Sequence, residues 1–399
     1  MLVARRSIST AMLLAGSPAL AQTAQPPRIG ELPPAPAERY VPEPPGIAVT
    51  VFASGLEAIW SLQFAPDGRL FLTERPGRIR VVTRTGRLDE TPWATVDAVN
   101  TRGEGGLLGL ALHPRFAEEP WVYVMYTARK NGGIVNRVVR VREVDGRGAN
   151  VEVVLDDLPA ATNHNGGRLR FGPDGMLYVG AGDAYVPERA QDRSSPAGAI
   201  LRLTPEGRVP DDNPWRGNPI WALGLRNPNA LAFRPRDGVL FAGDHGPTSE
   251  WRNLGIRDRD ELNIVRKGAN YGWPVVVGAP ALAGFVDPLL AWDPSAPPGD
   301  LVFYDAALLP ALRGDLFLST LRAEALIRIR FGDTSKPDRV TAIERWFNSA
   351  PRGMSVYGRL RGLTVGPDGA LYVGTSNRDG RGQPRPGDDR VLRIGPGGR

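Results

Sequence analysis

Three histidines are the most informative chemical groups in the sequence, since histidine is the usual general base near neutral pH. His164 lies in the run Asn163-His-Asn-Gly-Gly, where the two glycines would let a ligand approach the backbone closely. The next predicted strand ends in Gly182-Asp183. A carboxylate there could hold the far imidazole nitrogen and fix its tautomer. From the residues alone, His164 and Asp183 are a candidate catalytic pair; a loop histidine and an ordinary turn aspartate are the alternative.

Arginines in turns offer a second kind of chemistry, the binding of anions. Leu225-Arg-Asn-Pro-Asn229 precedes a predicted strand, and an arginine held by a turn is suited to contact an anion or a developing oxyanion. Arg359 and Arg361 alternate along a strand, so their side chains face one side and could clamp a carboxylate. Surface ion pairs would explain these arginines equally well. The turn Asp244-His-Gly-Pro247 could offer carbonyls to a hard cation such as calcium.

Several classes of site are excluded by what the sequence lacks. There is no cysteine, so a disulfide, a zinc-thiolate site and a cysteine nucleophile are impossible. The sequence contains no zinc-binding histidine pair, Walker loop, dinucleotide fingerprint or Gly-x-Ser-x-Gly elbow. The net charge is +6, but the arginines are spread along the 399 residues rather than gathered in a tract. No nucleic-acid partner is therefore predicted.

The N-terminus has the features of an export signal. Arg5 and Arg6 form a basic region, an apolar but short run follows, and Ala19-Leu20-Ala21 has the pattern of a cleavage site. We predict a signal peptide over residues 1–21 and a Pro-rich, extended linker over residues 22–46. The mature chain is expected in the periplasm or outside the cell, without a membrane-spanning segment. Sec and twin-arginine export both remain open.

A sequence repeat indicates the fold. Phe64-Ala-Pro-Asp-Gly-Arg-Leu-Phe-Leu recurs at Phe171 and Val365, and weaker copies begin near residues 112, 233 and 312. Each copy predicts a strand, a tight turn and a returning strand. Such β-units must stack to bury both faces, so we predict an all-β fold, a six-bladed β-propeller of four-stranded antiparallel blades over residues 47–399. Five or seven blades and an open sandwich are the alternatives. His113, in a repeat turn, is predicted to be structural.

The ordered set of motifs resembles a single family, the glucose/sorbosone dehydrogenases, soluble sugar dehydrogenases that use pyrroloquinoline quinone (PQQ). Eight motifs occur in the family's order: Trp60 with Phe64-Ala-Pro-Asp-Gly, Gly105-Gly-Leu-Leu-Gly, His164 before Gly166-Gly167, Gly182-Asp183, Arg226-Asn-Pro, His245-Gly-Pro, Asn270-Tyr-Gly-Trp-Pro and Arg359-x-Arg361. The resemblance extends from about residue 47 to the C-terminus. It implies a six-bladed propeller with PQQ in a shallow polar pocket.

The resemblance also implies a reaction and the residues that carry it. His164 matches the general base that takes the proton of the sugar hydroxyl, and Asp183 matches the carboxylate that orients this base. Arg226 and Asn227 match contacts to the cofactor beside its reactive carbonyl. The implied reaction oxidises an aldose at the anomeric carbon to a lactone, with hydride transfer to PQQ.

Two further pairs of residues are implied as contacts of the cofactor and its metal. Arg359 and Arg361 match arginines that bind the carboxylates of PQQ, which suit bidentate guanidinium groups. Gly246 and Pro247 match positions whose backbone carbonyls ligate a calcium ion. That ion would withdraw electron density from the quinone as a Lewis acid.

Three positions depart from the family's pattern. Glu104 and Asn229 stand where the glucose-oxidising members have Gln, and Arg322 stands where they have Lys in a strand of blade five. We predict that Glu104 contacts the substrate and that Asn229 and Arg322 contact the cofactor. A carboxylate at position 104 would be unfavourable near a tricarboxylate cofactor unless calcium or an arginine offsets its charge. The sugar and the electron acceptor are not identified by the sequence.

Two other functions are consistent with the same fold. A propeller could bind a sugar or another ligand without redox chemistry, and the three departures favour that alternative. A calcium-dependent lactone hydrolase could also use such a propeller, but it would hold its metal through side-chain carboxylates and amides. Because the fold alone does not distinguish these functions, they must be distinguished by the residues and geometry of the site.

Overall fold

Six sheets of four antiparallel strands are arranged as the blades of a propeller. The computed structural model of the chain describes residues 26–97, 99–248, 252–255, 258–332, 335–350 and 354–398. The predicted six-bladed, all-β architecture is confirmed. The predicted signal peptide lies outside the described residues.

The strands follow one another in blade order. Three strands precede the first blade: β1 (Arg28–Ile29), β2 (Glu38–Val41) and β3 (Ile47–Ala53). Blade one contains β4 (Ile59–Phe64), β5 (Leu70–Glu74), β6 (Arg78–Val82) and β7 (Ala94–Thr95). Blade two contains β8 (Leu107–Leu112), β9 (Trp121–Lys130), β10 (Gly133–Val144) and β11 (Arg147–Leu158). Blade three contains β12 (Leu169–Phe171), β13 (Leu177–Ala181), β14 (Ala199–Leu203) and β15 (Ile220–Leu223).

The second half of the ring is built in the same way. Blade four contains β16 (Pro228–Phe233), β17 (Leu240–Asp244), β18 (Asp260–Val265) and β20 (Leu290–Trp292), and β19 (Val276–Val277) lies outside it. Blade five contains β21 (Pro298–Phe303), β22 (Leu316–Thr320), β23 (Leu326–Phe331) and β24 (Val340–Trp346). Blade six contains β25 (Leu360–Val365), β26 (Leu371–Thr375) and β27 (Val391–Pro396). Three 3₁₀ helices span Pro187–Gln191, Arg252–Leu254 and Pro310–Leu312. Among the described residues, no helix has the length and apolarity needed to cross a bilayer.

The sequence repeat forms the connection between the first and second strands of each blade. In the three strong copies the aspartates accept a hydrogen bond from the backbone N–H two residues on, at 3.0 Å for Asp67, 3.1 Å for Asp174 and 3.2 Å for Asp368. The glycine after each aspartate has a positive φ, at +86°, +74° and +80°. The Pro-Asp-Gly pattern thus determines a tight turn through short-range contacts alone. For this reason its recurrence predicted the blades.

Antiparallel pairing sends successive connections of a blade to opposite faces of the propeller. The repeat turns therefore lie on one face, and His113 is among them, between β8 and β9. The connections from second to third strands, and those between blades, lie on the other face. Three of these second-to-third connections are long, spanning residues 182–198, 245–259 and 376–390. The second face is the one that can carry a site.

A buried ion pair closes the centre of the ring. Arg168 precedes blade three and lies 3.0 Å from the carboxylate of Asp300 in blade five, with neither side chain exposed. The guanidinium also donates to Ser61 of blade one and to the carbonyl of Asn229 in blade four. Asp300 accepts the N–H of Leu363 in blade six. Five blades are thereby joined at one point on the axis.

The N-terminal segment, which includes the predicted Pro-rich linker, packs along the propeller. β3 pairs with β27 and completes blade six. β2 runs parallel to β24 at the edge of blade five, and β1 runs parallel to β19. Glu38 of β2 accepts hydrogen bonds from Trp292 of blade four and Arg345 of blade five. The segment therefore ties neighbouring blades together.

Candidate active site

A cavity of about 550 Å³ opens on the face that carries the long connections. Seven of the residues predicted for the site line it: Glu104, His164, Arg226, Asn229, Arg322, Arg359 and Arg361. Its lining includes Asn229 and Trp60, which both contact Arg168, so the central ion pair supports the cavity from below.

His164 is held in one orientation by a buried carboxylate. Its Nδ1 lies 2.8 Å from Oδ1 of Asp183, whose side chain is fully buried. Asp183 also accepts the indole N–H of Trp273 and the backbone N–H of Tyr185. A carboxylate in this position stabilises the tautomer with the proton on Nδ1, which leaves Nε2 as the nitrogen that can accept a proton. The predicted pairing of His164 and Asp183 is therefore present in the structure.

Two arginines of blade six share one carboxylate at the other side of the cavity. Nε of Arg359 donates to Oδ2 of Asp379 at 2.9 Å, and Nη2 of Arg361 lies 3.5 Å from the same oxygen. Burial lowers the pKa of Arg361 to about 10. Burial would raise the pKa of Asp379, but the two guanidinium groups outweigh it and hold that pKa below its ordinary value. The group carries excess positive charge, as an anion site requires.

The turn before blade four holds Arg226 through its backbone and its side chain. Asp244 accepts the backbone N–H groups of Arg226 and Asn227, at 2.9 and 2.7 Å. The guanidinium of Arg226 donates to the carbonyl of His245 and lies 5.5 Å from the ring centroid of Trp273. Asn227 does not line the cavity; its side-chain oxygen accepts the N–H of Gly166 behind the His164 loop. Its role as a cofactor contact stays a prediction.

Gly246 and Pro247 lie beside, rather than in, the large cavity. They line a second cavity of about 10 Å³ together with Asp244 and Glu261. Burial is the main cause that raises the pKa of Asp244 to about 6 and that of Glu261 to about 8. Among the described residues no three His, Cys, Asp or Glu side chains form a group that could hold a metal ion. A cation here would need backbone oxygens in addition to carboxylates.

The protein-family model for glucose/sorbosone dehydrogenases matches residues 56–384. The chain belongs to this family. The match covers blades one to five and the first two strands of blade six, and it includes every residue predicted for the site.

Relatives from three bacteria show which branch of the family the chain resembles. The aldose sugar dehydrogenase YliI of Escherichia coli K12 is 30% identical over 361 residues, which cover 84% of this chain and 92% of the relative. Quinoprotein glucose dehydrogenase B of Acinetobacter calcoaceticus is 33% identical over 261 residues, which cover 57% and 52%. The PQQ-bound structure of an aldose sugar dehydrogenase from Streptomyces coelicolor superposes with a TM-score of 0.75 at 34% identity, covering 88% of this chain and 99% of that one. These relatives support a sugar dehydrogenase of the PQQ type.

Several lining residues of this family member were missed by the motif analysis. They are Arg75, Tyr185, Asp379 and Arg381. Each follows the second strand of a blade, as do the predicted Asp183 and Arg322. Arg322 itself lies in the turn after β22 rather than in the strand to which it was assigned. The repeat therefore carried a usable signal, since polar residues just after its second strand face the cavity.

Proposed function

We propose that this chain oxidises an aldose-type sugar at the anomeric carbon to the lactone, using PQQ and calcium. The observation that carries the proposal is the hydrogen bond from His164 to the buried Asp183 at the wall of an arginine-lined cavity. The pocket therefore contains both a proton acceptor and an anion site, which an alcohol oxidation with an anionic cofactor requires.

The cavity has the charge and size that PQQ needs. Its lining contains six arginines and three acidic side chains, an excess of positive charge suited to the three carboxylates of PQQ. Its volume of about 550 Å³ suits a cofactor of this size together with a small sugar. Arg359 and Arg361 would hold carboxylates, and Arg226, Asn229 and Arg322 would surround the rest of the cofactor.

The surroundings of Gly246 and Pro247 fit calcium by their chemistry. Carbonyl and carboxylate oxygens are the donors that calcium prefers. The nearby carboxyls of Asp244 and Glu261 have raised pKa values, and a cation would favour their charged forms. Calcium beside the cofactor is part of this proposal, supported by the two carboxyl groups that line the second cavity with Gly246 and Pro247.

The residues of this chain would supply the proton transfer and the orientation. When bound, PQQ would supply an acceptor for the hydride that leaves the anomeric carbon. Nε2 of His164 takes the proton of the anomeric hydroxyl, and Asp183 stabilises the imidazolium that forms. Arg226, fixed by the carbonyl of His245, supplies positive charge where negative charge develops.

The test adds PQQ and calcium to the purified apo-protein and follows dye reduction with a panel of aldoses. We expect activity that requires both additions and that falls by at least about 10²-fold in His164→Ala. His113→Asn is the matched control, because this histidine lies on the opposite face. PQQ binding, followed by its absorbance, should persist in both variants.

The two alternative functions give different results in the same experiment. A non-redox binding protein would bind sugar without any PQQ-dependent dye reduction. A lactone hydrolase would open lactones in calcium alone. Failure of PQQ to bind at high concentration would overturn the proposed dehydrogenase.

We also propose export to the periplasm or the exterior, which rests on the sequence of residues 1–21. N-terminal sequencing of the mature protein tests this, and a start at Gln22 is expected. An intact N-terminus in the purified native protein would contradict it.

A further inference from the structure

Both oxygens of Glu104 are engaged by protein donors. Oε2 accepts the backbone N–H of His164 at 3.0 Å, and Oε1 accepts Nη1 of Arg381 at 2.8 Å. The side chain is only 24% exposed although it lines the cavity. A carboxylate predicted to contact the substrate is therefore occupied by the protein itself.

The backbone that Glu104 holds is in an unfavourable conformation. His164 has φ of +59°, in the left-handed region that residues with a side chain rarely adopt. Three contacts fix it: the N–H to Glu104, the carbonyl to the N–H of Ala184 at 3.1 Å, and the ring to Asp183. Because the catalytic nitrogen is placed by this backbone, the amide contact bears directly on the proposed chemistry.

Arg381 connects this contact to the anion site. Its Nη2 donates to Asn163, the residue before His164, at 2.9 Å. Its backbone N–H donates to Asp379 at 2.9 Å, and Asp379 holds Arg359. A continuous set of hydrogen bonds thus runs from the blade-six arginines to the loop of the general base.

We propose that Glu104 and Arg381 form a positioning pair, in which Glu104 anchors the strained backbone of His164 and Arg381 anchors and neutralises Glu104. The inference rests on the proposed function and deepens it, since it assigns Glu104 to the base and not to the sugar. It also answers how a carboxylate is tolerated beside a tricarboxylate cofactor.

The ionisation of Glu104 agrees with this arrangement. Burial would raise its pKa, but Arg381, His245 and the His164 amide outweigh burial, so that the pKa lies below its ordinary value. An ionised carboxylate can accept both hydrogen bonds at once. A glutamine would offer one acceptor oxygen and an NH₂ group that faces a donor. Glutamate and arginine at these positions therefore suit each other.

The first measurement uses the full chain without cofactor. Hydrogen–deuterium exchange of the His164 amide, resolved by fragmentation mass spectrometry, should be at least about tenfold faster in Glu104→Ala than in the wild type. Glu119→Gln is the control, because Glu119 pairs with the exposed Arg115 at a repeat turn on the opposite face. An unchanged exchange rate in Glu104→Ala overturns the proposal, whether or not the chain proves to be a dehydrogenase.

The second measurement separates positioning from substrate binding. In the PQQ- and calcium-loaded protein, Glu104→Ala should lower kcat by about 10²-fold with KM for the sugar changed less than about threefold. Glu104→Gln should have a kcat between those of the wild type and Glu104→Ala. Adding Arg381→Gln to Glu104→Gln should return kcat to within about threefold of wild type, since the arginine left without its carboxylate partner is removed. A raised KM with unchanged kcat, or additive losses in the double variant, would overturn the pair. Absence of activity in the wild type would instead reject the proposed function.

Discussion

Replacing Asp183 by asparagine changes one group that three donors share. Oδ1 of Asp183 accepts Nδ1–H of His164 at 2.8 Å and the N–H of Tyr185 at 2.9 Å, while Oδ2 accepts Nε1–H of Trp273 at 2.8 Å. Asparagine keeps the shape but has a single acceptor oxygen. One side of the carboxamide must therefore present NH₂ to a group that donates at present.

Either orientation of the new side chain has a cost. With its oxygen toward His164, the buried indole N–H of Trp273 faces NH₂ and loses its partner, which costs about 1–3 kcal/mol. With its oxygen toward Trp273, NH₂ faces the imidazole and favours the tautomer with the proton on Nε2. That tautomer cannot accept the sugar proton, so we expect kcat to fall by about 10²–10⁴-fold in Asp183→Asn.

Steady-state dye reduction with PQQ and calcium measures this effect, with cofactor affinity as a check that the pocket is intact. Trp273→Phe is the informative partner variant, because it removes the competing indole donor. The double variant should recover part of the kcat lost in Asp183→Asn, since the amide oxygen is then free to face His164. A kcat of Asp183→Asn within about threefold of wild type would refute the tautomer argument.

Three further predictions concern stability. Arg168→Met leaves Asp300 buried without this partner and should cost about 3–5 kcal/mol in urea unfolding; a loss below about 1 kcal/mol would contradict a structural role on the axis. Glu38→Ala removes the carboxylate partner of the nearly buried Arg345 and should lower the free energy of unfolding in urea by about 3 kcal/mol. No change would be expected if the N-terminal segment contributed nothing to stability. Burial raises the pKa of Asp260 to about 7, so the folded state holds this proton more tightly than the unfolded state. With calcium chelated, stability should fall as pH rises from about 4 to 7, on the order of 4 kcal/mol, and Asp260→Asn should flatten that slope.

The parts of the fold that could be predicted from the sequence are those determined by short-range sequence patterns. Each of the three Pro-Asp-Gly copies closes its own turn through an aspartate two residues from its donor, and together with the three weaker copies they predicted six blades. His164 and Asp183 were predicted because they are only 19 residues apart in a single blade unit. Both residues flank the first two strands of blade three, although Trp273 and Glu104 from elsewhere in the ring help to hold them.

The contacts that sequence reasoning missed join distant parts of the chain. Glu104 and Arg381 are 277 residues apart, and Glu38 and Trp292 are 254 apart. No local pattern encodes such pairs, because each depends on how the ring closes. Asp260-Glu-Leu-Asn begins the buried strand β18, and its polar residues are held there by partners such as Ser295.

Closure of the ring is what brings the two halves of the site together. His164, the proposed proton acceptor, belongs to blade three, whereas the arginine pair belongs to blade six, whose outer strand is β3 from the N-terminal part of the chain. Asp389, at the end of the loop that carries Arg381, accepts the N–H of Ala58 at 2.8 Å. The approach to blade one thereby fixes the blade-six loop. Loosening this closure should weaken the anion site and also the hold of Arg381 on Glu104 and Asn163, so that both halves of the proposed site depend on it.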